Sequence, residues 1–185
     1  MWRHQFGNII SVAFSFGKLN LMKLFYGKRL KFRMVERLSP NVVLDIDQTS
    51  KCRLGNKVRI HSGSKLTAAK GGEVILGDNV RINNNCRIAC REKIMIGDGV
   101  EFGPGVLVYD HDHDFRAEGG IKAGKYKKSP VIIGKNTWIG ANSIILRGTT
   151  IGENCVIGAG SIVKGNYEDN SLIVQKREEM VSKAI

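Results

Sequence analysis

The chain has 185 residues, which suits one domain or one domain with an N-terminal arm. Its hydrophobic content of 42% is ordinary for a globular protein, and 22 Gly against 3 Pro indicate many tight turns rather than a Pro-rich linker. The formal net charge of +12 attracts anionic partners, but no basic and aromatic signature of nucleic-acid binding accompanies it. We therefore expect no nucleic-acid partner.

Residues 1–50 lack a regular repeat, and residues 1–37 contain eight Lys and Arg against one acid. The longest apolar run near the start, 9–16, is much shorter than the roughly 20 residues that cross a bilayer, and no signal-peptide cleavage site follows it. We interpret 1–50 as a basic, partly helical cap over the open end of the next domain. An anionic membrane surface is the other candidate contact for this arm, and the two are compatible.

The four cysteines form no Cys-x-x-Cys pair, and a chain of this size does not need disulfides to fold. We expect reduced thiols in a cytoplasmic protein, which would be peripheral to the inner membrane if the arm contacts it.

Residues 51–174 carry a six-residue repeat of large apolar anchors, and Gly follows several of them. The anchors are Leu54, Ile60, Leu66, Leu76, Ile82, Ile88, Ile96, Phe102, Val108, Ile133, Ile139, Ile145, Ile151, Ile157 and Val163. A second apolar or small residue lies four places after many anchors, as at Val80, Cys86, Val100, Val106, Thr137, Ser143, Cys155 and Ser161.

A period of six fits neither an α-helix nor a simple alternating strand. It is typical of short parallel strands that turn a corner every six residues, so that the anchors stack inside a prism. The alternative is a β-sandwich with coincidental spacing. The pattern resembles the hexapeptide-repeat acyltransferase superfamily, and this resemblance implies an all-β, left-handed parallel β-helix at 51–174, followed by a C-terminal tail at 175–185.

Interruptions of the repeat are candidate functional loops, because an insertion must leave the prism. Two are short, at 67–74 and 91–93, and the third is a long loop at about 112–130. At its start, residues 110–114 read Asp-His-Asp-His-Asp. A His beside carboxylates suits a general base near neutral pH, whereas the competing interpretation is a solvated acidic turn.

The segment 96–109 followed by His113 resembles the one that precedes the catalytic His of galactoside and maltose O-acetyltransferases. This resemblance implies His113 as the general base, with His111 as the second choice, because one residue of slip would exchange them. It also places Asp110 beside the acceptor.

Other positions carry over from the same resemblance. Asn83 and Asn85 match acceptor-binding positions, although Asn also occupies β-helix corners. In the Trp-Ile-Gly-Ala stretch at 138–141, Trp138 would line both substrate sites, Gly140 would contact the cofactor, and the backbone N–H of Ala141 would bind the thioester oxygen.

The segment 157–163 resembles the one along which the pantetheine arm of CoA lies, and it places Ala159 and Lys164 at cofactor contacts. The resemblance therefore implies acetyl-CoA as co-substrate, no metal, and a homotrimer with active sites between subunits. Lys164 could equally be a solvated surface group.

The sequence departs from the family pattern in two places. Residues 174–178 read Val-Gln-Lys-Arg-Glu instead of Gly-x-Pro-Ala-Lys, and Arg91 stands where galactoside enzymes have an acid. We therefore expect an O-acetyltransferase of surface polysaccharide or lipopolysaccharide biosynthesis. Its acceptor would be a sugar other than a simple galactoside, and a lipid-linked saccharide is one candidate.

Three alternatives remain at this stage. An antibiotic or serine O-acetyltransferase would share the fold and the chemistry. A γ-carbonic-anhydrase-like metal enzyme would need three His ligands, and only His61, His111 and His113 are available in the repeat region. A non-catalytic trimeric scaffold would not need the long His-bearing loop.

Overall fold

A computed structural model describes residues 2–33 and 37–175, with side chains from residue 11 onward. The tail expected at 175–185 thus lies almost entirely outside the described residues. One helix, α1 (Trp2–Tyr26), precedes the strands. None of the described helices is long and apolar enough to span a bilayer.

Short strands follow α1 along the rest of the described chain. They are β1 (Leu30–Phe32), β2 (Arg37–Leu38), β3 (Val43–Ile46), β4 (Lys51–Leu54), β5 (Arg59–Ile60), β6 (Lys65–Ala68), β7 (Glu73–Leu76), β8 (Arg81–Ile82), β9 (Arg87–Cys90), β10 (Lys93–Ile96), β11 (Glu101–Phe102), β12 (Leu107–Tyr109), β13 (His111–His113), β14 (Tyr126–Lys128), β15 (Val131–Ile133), β16 (Trp138–Ile139), β17 (Ile144–Ile145), β18 (Thr150–Ile151), β19 (Val156–Ile157), β20 (Ile162–Val163), β21 (Asn166–Tyr167) and β22 (Leu172–Ile173). Short 3₁₀ turns occupy Gly27–Arg29 and Gly120–Ala123.

Three parallel sheets form the walls of a prism. Sheet A contains β1, β4, β7, β10, β15, β18 and β21 in that spatial order, sheet B contains β2, β5, β8, β11, β16, β19 and β22, and sheet C contains β3, β6, β9, β12, β17 and β20. The chain passes from A to B to C in each coil, so the described residues make six complete coils and part of a seventh. This architecture confirms the predicted β-helix and is consistent with its left-handed form.

The predicted anchors fill the interior. Ile133, Ile139 and Ile145, from the three walls of one coil, are each at most 1% exposed, and the second inward positions such as Val100 and Ser143 are fully buried. Burial of each branched side chain contributes about 1.5–3 kcal/mol, so the stacked anchors dominate stability.

The corners between sheets require backbone conformations that most side chains avoid. Asn is frequent there with positive φ, as at Asn85 with φ 59° and Asn142 with φ 57°. Gly140 is required for a steric reason, because a Cβ at this position would lie 2.5 Å from the backbone nitrogen of Ala159 in the next coil.

The first coil lies within the segment that the sequence assigned to the arm. Phe32, Leu38 and Leu44 pair in register with Leu54, Ile60 and Leu66 of the next coil. Their spacing is also six, but no Gly follows them and basic residues flank the first two.

The end of the prism is covered by α1. Its inner face buries Leu19, which is 1% exposed. Lys18 donates from Nζ to the carbonyl oxygens of Pro40 (2.8 Å) and Val42 (2.6 Å), and the Tyr26 hydroxyl donates to Leu44 at 3.0 Å. These contacts occupy the outermost carbonyls of the first coil, so α1 acts as a cap.

Candidate active site

The predicted long loop is a two-stranded projection at the corner between sheets C and A. Its strands β13 and β14 pair antiparallel, with His113 opposite Tyr126. The backbone N–H of Ser129 donates to the carbonyl of Asp110 at 2.9 Å and closes the base of the projection. The loop therefore leaves the prism where the sequence predicted.

Asp110 is the fully buried acid of this region. Its carboxylate accepts hydrogen bonds from the backbone N–H of Arg91 at 2.8 Å and Glu92 at 2.7 Å, and from the Cys90 thiol at 3.1 Å. Burial by itself would raise the pKa of Asp110, but these donors together with His111 lower it below its ordinary value. Asp110 is thus an ionised carboxylate inside the protein.

His111 pairs with this carboxylate. Its Nδ1 lies 2.8 Å from Oδ1 of Asp110, and its side chain is only 15% exposed. Its ring meets the ring of Tyr126 edge-on, with centroids 5.4 Å apart. A carboxylate at Nδ1 favours the tautomer protonated there, which leaves the Nε2 lone pair available as a base.

His113 has a different environment. It is exposed on β13, and its ring lies 4.5 Å from that of Tyr126. The two neighbouring acids bind cations instead, because Asp112 accepts from Arg147 Nε at 2.5 Å and Asp114 lies 3.4 Å from Lys127 Nζ. Within the described residues, the structure therefore joins only one of the two predicted histidines to a carboxylate.

The predicted acceptor and cofactor residues lie mainly at another corner. Four of them lie at the corner where sheet B passes to sheet C: Asn83 after β8, Gly140 and Ala141 two coils further on after β16, and Ala159 after β19. Trp138 is 56% exposed on the outer face of sheet B. Asn85 adopts the left-handed conformation of a corner residue, as its alternative interpretation expected.

Within one protomer, sheet C separates this corner from the two histidines, which lie where sheet C passes to sheet A. Lys164 follows β20 and is exposed on the histidine side. A single subunit therefore does not bring His111 or His113 to Ala141.

The backbone N–H of Ala141 has no acceptor among the described residues. At the equivalent place of the corner between sheets A and B, the N–H of Glu153 donates to the Asp169 side chain at 2.7 Å. The residue that follows the anchor and Gly in the next coil at Ala141's own corner is Ala159, whose side chain offers no acceptor. The N–H of Ala141 is available to a ligand.

A groove that the sequence did not predict adjoins His111 on the outer face of sheet C. It has a volume of about 290 Å³, and Lys65, Arg87, Arg91 and Tyr109 line it with His111. The only sequence signal for it was the position of Arg91 in a short interruption of the repeat.

No group of three or more His, Cys, Asp or Glu side chains within the described ranges is placed to hold a metal ion. His61 follows β5 at the corner between sheets B and C, whereas His111 lies beyond β12 at the next corner. The described His residues are thus not gathered in one place.

Comparisons with known proteins show what this chain is similar to. Residues 130–164 match the family model described as the hexapeptide repeat of succinyl-transferase. The putative lipopolysaccharide biosynthesis O-acetyl transferase WbbJ of Escherichia coli strain K12 is 28% identical over 148 residues, which cover 71% of this chain and 76% of that protein.

Galactoside O-acetyltransferase of the same organism is 38% identical over 100 residues, but the match covers 54% of this chain and 49% of that protein. Among solved structures, a mutant of AntD, an N-acyltransferase from Bacillus cereus in complex with dTDP and coenzyme A, superposes with a TM-score of 0.65 at 25% identity, covering 83% of this chain and 84% of that chain.

The repeat and the coil are like those of hexapeptide-repeat acyltransferases, and the matched relatives and solved structure are named acyltransferases. Among these relatives, the chain is similar to a galactoside O-acetyltransferase and to a putative lipopolysaccharide O-acetyl transferase.

Proposed function

We propose that the protein transfers an acetyl group from acetyl-CoA to a hydroxyl of a saccharide during surface polysaccharide or lipopolysaccharide biosynthesis. The observation that carries the proposal is the buried Asp110 carboxylate bound to His111 at 2.8 Å, because it supplies a base in a fixed orientation. The coenzyme A complex of AntD and the O-acetyl transferase relative support the choice of donor.

In the proposed reaction, Nε2 of the base accepts the proton of the acceptor hydroxyl as its oxygen attacks the thioester carbonyl. The N–H of Ala141 from a neighbouring subunit donates to the developing oxyanion, which typically accelerates such steps by about 10²–10³. Collapse of the intermediate breaks the C–S bond, and the imidazolium returns its proton to the leaving CoA thiolate. No covalent acyl-enzyme forms.

The base is proposed to be His111 on geometric grounds, since Asp110 fixes its ring. His113 remains the prediction from sequence resemblance. The two are separated by comparing His111→Asn and His113→Asn in an assay of CoA thiol release over a panel of saccharide acceptors. Loss of the base should lower kcat at least a hundredfold with little change in acetyl-CoA affinity. Full activity of both variants would refute a His base.

Assembly follows from the separation of the two corners. We propose a homotrimer in which Ala141 and Ala159 of one subunit face the His loop of the next. Sedimentation equilibrium tests the trimer, and complementation tests the shared site. Mixed trimers of His111→Asn subunits and subunits carrying a bulky residue at Ala159 should regain part of the activity if sites are shared, and none if each subunit contains a complete site.

We further propose that α1 contacts an anionic membrane surface while it caps the prism, which would suit a lipid-linked acceptor. Phe14, Leu21, Leu24 and Phe25 occupy one stripe of the helix away from the core, with Leu24 80% and Phe25 75% exposed. The helix contains no acid. Lys28, Lys31 and Lys51 contribute to a basic pocket near its end.

Flotation with vesicles of phosphatidylcholine and phosphatidylglycerol tests this contact, since each Lys or Arg near such a surface contributes about 1 kcal/mol. Leu24→Glu with Phe25→Glu should abolish binding, whereas Ile121→Glu, which alters a 62% exposed apolar residue of the His loop, should retain it. Equal binding to uncharged vesicles, or no binding at all, would contradict the proposal.

A further inference from the structure

The groove beside His111 is strongly basic. Lys65 and Arg87 occupy equivalent positions on adjacent strands of sheet C, where they are register partners. Adjacent strands lie about 4.8 Å apart, so the two stems leave the sheet side by side. Among the residues that the structure describes, no Asp or Glu lines the groove.

These cations differ in how far they are neutralised. Lys65 lies 3.0 Å from Asp45, outside the groove lining. Arg87 is exposed and makes no ion pair with any residue that the structure describes. A guanidinium left uncompensated at the edge of a concave surface is suited to bind a carboxylate or a phosphate through two parallel hydrogen bonds.

Arg91 is held at the mouth of the same groove. Its guanidinium carbon lies 3.7 Å from the centroid of the Tyr126 ring, and that ring lies 5.4 Å from the ring of His111. Its backbone N–H is bound to Asp110 at 2.8 Å. The carboxylate that orients His111 therefore also fixes the segment that carries Arg91.

We propose that this groove binds an anionic group of the acceptor, a carboxylate or a phosphate, and so selects acidic or phosphorylated saccharides over neutral ones. The inference rests on the proposed function, because it assumes that His111 faces the hydroxyl to be acylated. Arg87 and Arg91 act as specificity residues that hold the anion while His111 takes the proton.

The test compares acceptors that differ in one charge. Methyl glucuronide against methyl glucoside tests the carboxylate, and galactose 1-phosphate against methyl galactoside tests the phosphate. Arg87→Gln and Arg91→Gln are measured beside Lys135→Gln, which removes one charge from an exposed corner between sheets A and B. Each groove variant should raise KM for the anionic acceptor at least tenfold and change KM for acetyl-CoA less than twofold, and Lys135→Gln should change neither.

Direct binding separates this inference from the proposed function. The purified protein is titrated calorimetrically with methyl glucuronide and with galactose 1-phosphate, in the absence of acetyl-CoA. Both compounds should bind, and this binding should weaken in both groove variants and with added salt. If the anions bind but no acceptor supports release of CoA thiol from acetyl-CoA, the groove assignment holds and the acetyltransferase proposal fails. If charged and neutral acceptors support CoA release equally, or if the variants raise KM for acetyl-CoA instead, the groove assignment is overturned.

Discussion

Replacing Asp110 by Asn should damage both stability and catalysis. The carboxylate accepts from four donors, namely His111, the backbone N–H of Arg91 and Glu92, and the Cys90 thiol. Asn keeps one acceptor oxygen and turns an amide NH₂ toward the remaining donors. Losing two charge-assisted hydrogen bonds at about 1.5–3 kcal/mol each should lower the free energy of unfolding by roughly 3–6 kcal/mol.

The catalytic loss has a separate cause. Without the carboxylate, the proton of His111 is no longer held on Nδ1, so the base loses its orientation, and kcat should fall about 10²–10⁴-fold. Urea unfolding followed by circular dichroism gives the stability, and CoA thiol release gives kcat. Asp112→Asn is the control, since its exposed ion pair with Arg147 contributes about 0–1 kcal/mol. A fully stable Asp110→Asn variant with wild-type kcat would refute this account.

The pH dependence of stability follows from the lowered pKa of Asp110. A carboxyl whose pKa in the folded state lies below its ordinary value of 3.8 stabilises the protein above that pH, and this contribution is lost as the pH falls through the lowered pKa. The stability difference between wild type and Asp110→Asn should therefore be largest near neutral pH and should shrink below about pH 4.

Three further outcomes are expected. Ile145→Ala, inside the prism, should lower the free energy of unfolding by about 2–5 kcal/mol, whereas Val156→Ala on an outer face should cost less than half of that, as urea unfolding can show. Gly140→Ala should destabilise the protein, because its Cβ would lie 2.5 Å from the nitrogen of Ala159. Gly17→Ala in α1 has open space around it and should leave stability unchanged or raise it, and thermal unfolding of the two variants tests the difference. Burial raises the pKa of Cys52 to about 12, so its thiol should resist iodoacetamide at pH 8 in the native protein and react in urea; rapid native alkylation of Cys52, located by mass spectrometry, would contradict its burial.

The regular part of the fold could be predicted because one physical rule, an inward anchor every six residues, repeats in each coil. The first coil escaped prediction although Phe32, Leu38 and Leu44 keep the period, since Gly is absent after all three and basic residues flank the first two. The sequence carried their spacing but lacked the corner residues that make it conspicuous.

The site was predictable only in part. The run at 110–114 indicated a His beside acids, but which acid pairs with which His depends on the side-chain directions where β12 ends and β13 begins. Asp110 points inward and His111 outward. This alternation could not be predicted from the sequence, because the segment was assigned to a loop without a regular strand pattern. The stacking of Arg91 on Tyr126 joins residues far apart in sequence and had no local signal.

The cap formed by α1 also determines where the coil can stop. A parallel β-helix ends in a ladder of open carbonyl and amide groups, and a second molecule could add its own coil to that ladder indefinitely. Lys18, Tyr26 and Arg29 occupy carbonyls of the residue before β3, of β3 itself and of the turn after it. A variant that lacks residues 1–29 should therefore associate end to end into filaments, and the length of these filaments should increase with protein concentration.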